Sequence, residues 1–279
     1  MGTFVRSCFV SVVIATSLLG CSGFRDSHEL LNGVLWMQTS AEYRVLATSA
    51  YKQAKEALDK ALRDPAWTAA VEQGDDPSKL PPAVILDLDE TVLDNTGFEG
   101  RLIKDNTPYN RDKWEQWVKQ ADAPAVPGAL DFLEYAKSKG VAIFFVTNRS
   151  GKHEEFTRKN LQRLGIALSP EIDTVLSVGE EPHKWAADKR SRRAFLAKQY
   201  RILLLVGDDV GDFVSVDDVA PAERRQVADS HRERWGISWM LIPNPLYGSW
   251  ETLLYSSKLS DKEVLERKRS LLRDGMPGC

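Results

Sequence analysis

From Ala83 onward the chain alternates short, unbroken apolar runs with longer amphipathic stretches. The runs cover 83–88 (AVILDL), 141–147 (VAIFFVT), 202–207 (ILLLVG) and 237–242 (ISWMLI), with a shorter apolar piece at 174–177. Continuous apolar runs suit strands buried on both faces of a parallel sheet, where polar alternation would be out of place. The piece at 174–177 reads as an edge strand. Stretches 128–139, 152–164, 185–199 and 222–234 carry helical spacing between the strands. This alternation predicts a doubly wound α/β fold, a parallel sheet with helices on both faces. Ahead of it, Tyr43, Leu46, Ala50, Ala54, Ala57, Leu58 and Ala61 recur at three- and four-residue steps, predicting an amphipathic helical segment over 35–62. Thr39 and Glu42 have the spacing of a capping box, which would split that segment into two helices. Residues 73–82 (QGDDPSKLPP) read as a loop, about 95–127 as a small helical cap region, and 259–274 as a charged surface helix.

The first residues follow a different pattern. Arg6 precedes an apolar run from Cys8 to Leu19, too short for a comfortable bilayer span and suited to an export signal. The run ends in Leu18-Leu19-Gly20-Cys21, which resembles the lipobox of bacterial lipoproteins. On that resemblance residues 1–20 are removed and Cys21 is acylated. Residues 21–82 then form a lipid-anchored tether and helical segment, and 83–279 form the main domain. Acyl chains contribute about 0.8 kcal/mol per buried methylene, so a multiply acylated Cys21 would hold the chain to a membrane. Ser22, rather than Asp, after the cysteine implies the bacterial outer membrane, facing the periplasm or the cell surface.

Composition adds exclusions. The 279 residues are 43% hydrophobic and 28% charged, an ordinary globular balance. A formal charge of −3 offers no basic excess for nucleic acid. Of three cysteines, Cys8 leaves with the signal and Cys21 carries lipid, so Cys279 alone can build neither a disulfide framework nor a cysteine zinc site. His28, His153, His183 and His231 are scattered, without ligand spacing.

The chemistry gathers at strand ends. Asp87-Leu88-Asp89-Glu90-Thr91 ends the first run, Thr147-Asn148-Arg149 the second and Gly207-Asp208-Asp209 the third, with Asp212 shortly after. Ligands of open α/β sheets bind at the carboxyl ends of the strands, so these pieces should meet. Asp87 and Asp89, two residues apart on an extended segment, point to one side. Their mutual repulsion is relieved by a divalent cation, and an all-oxygen donor set favours Mg²⁺ over zinc.

The Asp-x-Asp-x-Thr run at 87–91, Thr147 after an apolar strand, a downstream lysine and GDDVGD at 207–212 resemble the haloacid dehalogenase (HAD) superfamily. DLDETVLDN at 87–95, AVPGAL at 125–130, VTNR at 146–149, VGDD at 206–209 and LIPNPLYGSWE at 241–251 look like the class C acid phosphatases, as does VLWMQTSAEY at 34–43. With the lipobox, the resemblance covers nearly the whole chain. It implies a bacterial lipoprotein phosphomonoesterase acting on small phosphate esters such as 5′-nucleotides, in a family that often forms homodimers.

The same resemblance implies roles. Asp87 is the nucleophile that forms an aspartyl-phosphate, and Asp89 protonates the leaving alkoxide and then deprotonates water. Asp87, the Asp89 main-chain oxygen and Asp208 hold Mg²⁺, and Asp212 orients water beside it. Thr147 donates to a phosphoryl oxygen, with Asn148 next to it as support. A lysine neutralises the transferring group: Lys189, in the pair Asp188-Lys189, is chosen over Lys184 and Lys198. The last motif departs from the family pattern at Asp209 and Gly211, where Asn and Asp are expected. Trp114 and Tyr247 match the aromatic pair that sandwiches the base, a contact worth about 1–3 kcal/mol that any base satisfies. Trp117 and Trp250 read as structural, and Asn95 and Arg149 as neighbours of the site with roles left open. A second reading is a binding or adhesion lipoprotein with residual hydrolysis; intact Asp87, Asp89, Thr147 and Asp208 favour the enzyme. A phosphomutase conflicts with export, whereas the short 95–127 region would leave the site open to bulky phosphoproteins.

Overall fold

The structure is a computed structural model that describes residues 28–273 apart from 75, 217–218, 221–222 and 257. The signal segment 1–20, Cys21 and Cys279 lie outside the described residues. In chain order the elements are α1 (Leu31–Thr39), α2 (Ala41–Arg63), β1 (Pro82–Leu86), α3 (Thr96–Asp105), α4 (Arg111–Gln120), α5 (Ala129–Ser138), β2 (Ala142–Ser150), α6 (Glu154–Arg163), β3 (Val175–Val178), α7 (Arg190–Ala197), β4 (Arg201–Gly207), α8 (Arg224–Ser230), β5 (Trp239–Leu241), α9 (Ser249–Thr252) and α10 (Asp261–Ser270). Among the described residues no helix is long and apolar enough to cross a membrane.

The five strands pair in the order β3-β2-β1-β4-β5, every pair parallel. Val84 and Leu86 of β1 face one core, Ala83 and Ile85 the other, and all of β4 is buried. That two-sided burial is why these strands read as unbroken apolar runs. The edge position of 174–177 is occupied by β3. The sheet is wound outward in both directions from β1 and β4. Their shared edge is therefore the switch point where a crevice opens at the carboxyl ends. Leu86 is level with Phe145 of β2 and Val206 of β4, so Asp87, Thr147 and Asp208 emerge along one edge.

Helices α2 and α5 cover one face, where Ala54, Leu58 and Ala61 meet a core containing Val84, Leu86, Val206, Phe132 and Leu133. Leu196 and Ala197 of α7 cover the other face with Ala69 and Ala70. The expected stripe on α2 needs one correction: Leu46 is 50% exposed, and Ala47 takes the inward position. Alanines at 47, 54 and 61 let the helix lie close to the sheet. The predicted break is present one residue later than the capping box placed it. Ser40, extended at ψ 143, accepts the Tyr43 N–H at 3.1 Å. Thr39 instead donates to the Leu35 carbonyl at 2.6 Å, still inside α1.

Two helices are shorter than their periodicity predicts. The stretch 185–199 becomes helical only from Arg190, whose N–H is held by Asp188 at 2.8 Å, and 222–234 contains only α8. Strand 237–242 shrinks to three residues, because Ile237 sits in a turn and is 50% exposed.

One contact ties α2 to the motif loop after β1. The fully buried Tyr51 donates its hydroxyl to the Thr91 carbonyl at 2.6 Å. Gly128, at φ +91, brings the start of α5 against Tyr51 and Thr48, where a Cβ would sit 3.1–3.2 Å from both. Tyr51→Phe leaves the Thr91 carbonyl without this donor, and a loss of about 1–3 kcal/mol is expected. Chemical denaturation reads it as a lower midpoint at unchanged slope; an unchanged midpoint would mean that the bond contributes nothing.

Candidate active site

Asp87 follows β1 directly, its N–H bonded to the Val206 carbonyl of β4 at 2.9 Å, and only 8% of the residue is exposed. The Lys189 ammonium, itself buried, pairs with Asp87 and lies 2.6 Å from Asp212. Asp208 completes the group, accepting from Thr91 Oγ1 at 3.0 Å and Asn244 Nδ2 at 2.8 Å. Asp212 Oδ2 accepts the N–H groups of Asp208 and Asp209 at 3.1 and 3.0 Å, closing the one-turn helix Val210–Asp212. A side chain at Gly207 would collide with that carboxylate. Lys184, the alternative lysine, is exposed and pairs with Glu181.

Two residues on, Asp89 meets a different set of groups. Its Oδ1 accepts from Arg149 Nε and Asn95 Nδ2, both at 2.9 Å, and pairs with the charge of Arg149 Nη2 at 2.8 Å. Asn95 is held in turn by the Trp117 indole at 2.8 Å. The Glu90 carboxyl accepts the Asn95 N–H at 2.8 Å. Glu90 has φ +57 and no exposed surface; burial, then the charge of Asp89, pushes its carboxyl well above the usual range. Trp117 thus supports the site rather than merely filling the core.

Thr147 is buried with its Oγ1 accepting the Arg149 N–H at 3.1 Å, which leaves the hydroxyl proton free to be donated. Arg192 binds the Thr147 carbonyl at 2.5 Å and Asn148 Oδ1 at 2.8 Å, so Asn148 is tied to the framework although exposed. Burial pulls the Arg192 guanidinium down to about 10. Its neighbour Arg193 holds the carbonyls of Gly211 and Asp212 at 3.1 and 3.0 Å and pairs with Glu72. The sequence offered no specific signal for this arginine pair beyond its place one turn after Lys189.

The two aromatic positions have separate surroundings. Trp114 of α4 stands in a shallow pocket with Tyr109, Arg111, Asn148 and His153. The Arg149 guanidinium lies over its ring, 5.5 Å from the centroid. Tyr247 packs against a small cluster formed by Val34, Met37, Tyr43 and Leu246, and its carbonyl accepts from Asn244. Trp250, read as structural, is 44% exposed. No histidine enters an acidic cluster among the described residues.

One oxygen each from Asp87, Asp208 and Asp212 lie within 4.8 Å of one another. Burial raises the Asp87 carboxyl to about 7, against the pull of Lys189, and the charges of Asp212 and Asp89 add to the rise. Burial and the neighbouring Asp212 and Asp87 push Asp208 up as well. One ammonium among three carboxylates leaves negative charge uncompensated, and a hard divalent cation fits such an oxygen donor set. A second acidic group, Glu154, Asp173 and Glu180, already has Arg158 paired with two of its members.

A buried carboxylate held by a lysine, with a second carboxylate two residues on, is the equipment of HAD-type phosphoryl-transfer domains. The chain belongs to the HAD superfamily, subfamily IIIB (acid phosphatase), whose family model matches residues 27–250. It is similar to the class C acid phosphatase of Bacillus anthracis. The identity is 33%, covering 88% of this chain and 96% of that one at a TM-score of 0.77. The structure of that enzyme with tungstate bound matches at 32% identity and the same TM-score. Acid phosphatase 1 of Solanum lycopersicum is 26% identical over 150 residues, 53% of this chain and 57% of that one. A stem 31 kDa glycoprotein of Glycine max is 26% identical over 135 residues, 47% and 51% of the two chains. The chain thus spans about half the length of these curated relatives.

The raised carboxyls set a direction for stability. A folded pKa above the unfolded value of about 3.9 favours folding below that value, and the advantage is lost as pH rises through the folded pKa. In chelator, Asp87 therefore lowers the melting temperature progressively between about pH 4 and 7. A divalent cation should raise the melting temperature more at pH 8 than at pH 5, and Asp208→Asn should remove most of that gain. An equal gain at both pH values, undiminished in the variant, would place the cation elsewhere.

Proposed function

We propose that this chain is a lipid-anchored, Mg²⁺-dependent acid phosphatase that hydrolyses phosphate monoesters, 5′-nucleotides among them, through an aspartyl-phosphate. The observation that carries the reading is Asp87, buried against Lys189 at the switch point with Asp89 two residues on. An Asp87 oxygen attacks phosphorus as the ester P–O bond breaks, and the Asp89 carboxylic acid gives its proton to the departing oxygen. Water then attacks the aspartyl-phosphate, its proton passes to the Asp89 carboxylate, and the bond to Asp87 breaks to release phosphate. Lys189 offsets charge on Asp87 and on the transferring group, and Thr147 donates its hydroxyl to a phosphoryl oxygen. Asp87, the Asp89 main-chain oxygen and Asp208 would hold Mg²⁺, which supplies charge stabilisation to the phosphoryl oxygens when bound. The Bacillus anthracis relative has been solved with tungstate, a phosphate-like oxyanion, bound, which supports an oxyanion ligand for this chain.

Nucleotide preference rests on Trp114 and Tyr247. Support comes from the aromatic pocket around Trp114 and from the loop that carries Tyr247, whose Asn244 binds Asp208. The anchor rests on Leu18-Leu19-Gly20-Cys21, with the outer membrane as its site. A homodimer is the assembly this family membership favours.

Phosphate release from 5′-AMP and p-nitrophenyl phosphate at mildly acidic pH, with Mg²⁺ and with chelator, tests the chemistry. Asp87→Asn should lose at least about 10³-fold of a metal-dependent rate. Cleavage of p-nitrophenyl phosphate without 5′-AMP would sink the nucleotide pocket and leave the catalytic assignment. Failure with both, under every divalent cation, would leave a binding lipoprotein.

Lipidation has its own assay. In a bacterial host fed labelled palmitate, the wild-type chain should carry label and sediment with outer membranes. Cys21→Ala should lose the label. Equal labelling of both would remove Cys21 as the anchor.

A further inference from the structure

The two oxygens of Asp89 have unequal surroundings. Oδ1 accepts two hydrogen bonds, from Arg149 Nε and Asn95 Nδ2, and forms an ion pair with Arg149 Nη2 at 2.8 Å. Among the described residues Oδ2 has no hydrogen-bond partner, and the Asp89 side chain keeps 18% of its surface exposed. The clamp on Oδ1 is rigid: the Arg149 side chain is 1% exposed, and its Nη2 also reaches Asn95 Oδ1 at 3.2 Å. Asn95 is fixed by Trp117 and Glu90 on its other sides. Among the described residues Arg149 Nη1 is buried with no hydrogen-bond partner. The guanidinium is therefore oriented to serve Asp89 and Asn95 while one of its own nitrogens goes unsatisfied, an exception that needs a reason.

We infer that Arg149 and Asn95 are positioning residues that divide the work between the Asp89 oxygens, reserving Oδ1 as a fixed acceptor and Oδ2 as the proton-carrying oxygen. An oxygen that already accepts two N–H groups and lies against the guanidinium charge is the poorer place for a proton, so the proton resides on Oδ2. Oδ2 then delivers it to the ester oxygen as the P–O bond breaks, and Asp89 is left as a carboxylate. In the second half-reaction the same oxygen takes a proton from the attacking water. The face of Arg149 over Trp114 joins this clamp to the wall of the neighbouring pocket. The inference rests on Asp89 acting as general acid and base, as proposed above.

Leaving-group dependence of kcat/KM tests it, because that ratio reports only the steps through phosphoenzyme formation. Benzyl phosphate expels an alkoxide that needs a proton, and p-nitrophenyl phosphate expels a phenolate that needs little help. Both leaving groups are aromatic, so stacking on the pocket is similar. Positioned general acids contribute about 10²–10⁴-fold. Arg149→Lys keeps the charge but not the fork, and should lower kcat/KM for benzyl phosphate by about 10²-fold. For p-nitrophenyl phosphate the loss should stay under about tenfold, with KM little changed. Trp117→Phe removes the indole donor to Asn95, with part of the ring packed against Phe98, and leaves Arg149 in place. It should show the same selectivity in weaker form, and it serves where Arg149→Lys does not fold.

Asp89→Asn is the reference variant. If it is selective for benzyl phosphate and the Arg149 and Trp117 variants fall equally on both substrates, the clamp is overturned and the general-acid reading stands. If Asp89→Asn itself falls equally on both, the general-acid reading fails and the clamp goes with it.

Discussion

The site depends on one electrostatic constraint: several carboxylates must share a buried edge of the sheet. Adjacent parallel strands β1 and β4 bring Asp87 beside Asp208, and the turn after β4 adds Asp212. Burial alone raises carboxyl groups, and neighbouring negative charge raises them further. The surrounding structure is organised to oppose that. Lys189 enters between Asp87 and Asp212, Asn244 and Thr91 donate to Asp208, and the amides of 208 and 209 donate to Asp212. The compensation is incomplete, since Asp87 stays raised even beside the lysine and Asp208 stays raised as well. That residue of negative charge is what a cation would answer.

Architecture supplies the rigidity such a cluster needs. The same short segment that provides Lys189 provides Arg192 and Arg193, both without exposed surface. Arg192 fixes the carbonyl of Thr147 and Arg193 fixes the carbonyls of Gly211 and Asp212. One helix therefore braces the ends of β2 and β4 and delivers the cation between them. From the opposite face, Tyr51 of α2 holds the Thr91 carbonyl. The N-terminal helix is thus bonded to the motif loop and packed into the same core as the sheet.

Much of this was legible in the sequence, for a physical reason. Strands buried on both faces must be apolar throughout, so polar residues at their ends stand out, and Asp87, Asp89, Thr147 and Asp208 were visible in that way. Lys189 was chosen because Asp188-Lys189 matches the family resemblance; in the structure it pairs with Asp87 and Asp212, whereas Lys184 is exposed and pairs with Glu181. Less legible were groups whose partners lie far along the chain or depend on local backbone conformation. Arg149 meets Asp89 across 60 residues, and Asn244 meets Asp208 across 36. Glu90 turns inward only because it adopts a left-handed φ, and a glutamate inside a motif looks like any solvated acid. Leu46 misled because Ala47, a weaker hydrophobic signal, takes the inward position on α2.

Asp209 shows how two adjacent acids can lead opposite lives. As the resemblance is read, a neutral amide belongs at this position, and a further carboxylate beside Asp208 looks like added repulsion. Yet Asp208 faces the crowded carboxylates, whereas Asp209 faces donors. Burial pushes Asp209 up, but Ser249, the Gly211 amide and Arg224 together hold it below the usual range. Its partners are the Ser249 hydroxyl at 2.5 Å, the Ser249 N–H at 2.7 Å and Arg224 at 3.2 Å. The extra charge is thereby paired locally, and the bonds it makes fasten the loop that carries Tyr247 and Asn244 to the end of β4. Asn244 returns along that loop to donate to Asp208. The departure from the family pattern thus adds a charge that is paired away from Asp208 and makes that acid the anchor of the loop whose Asn244 binds Asp208.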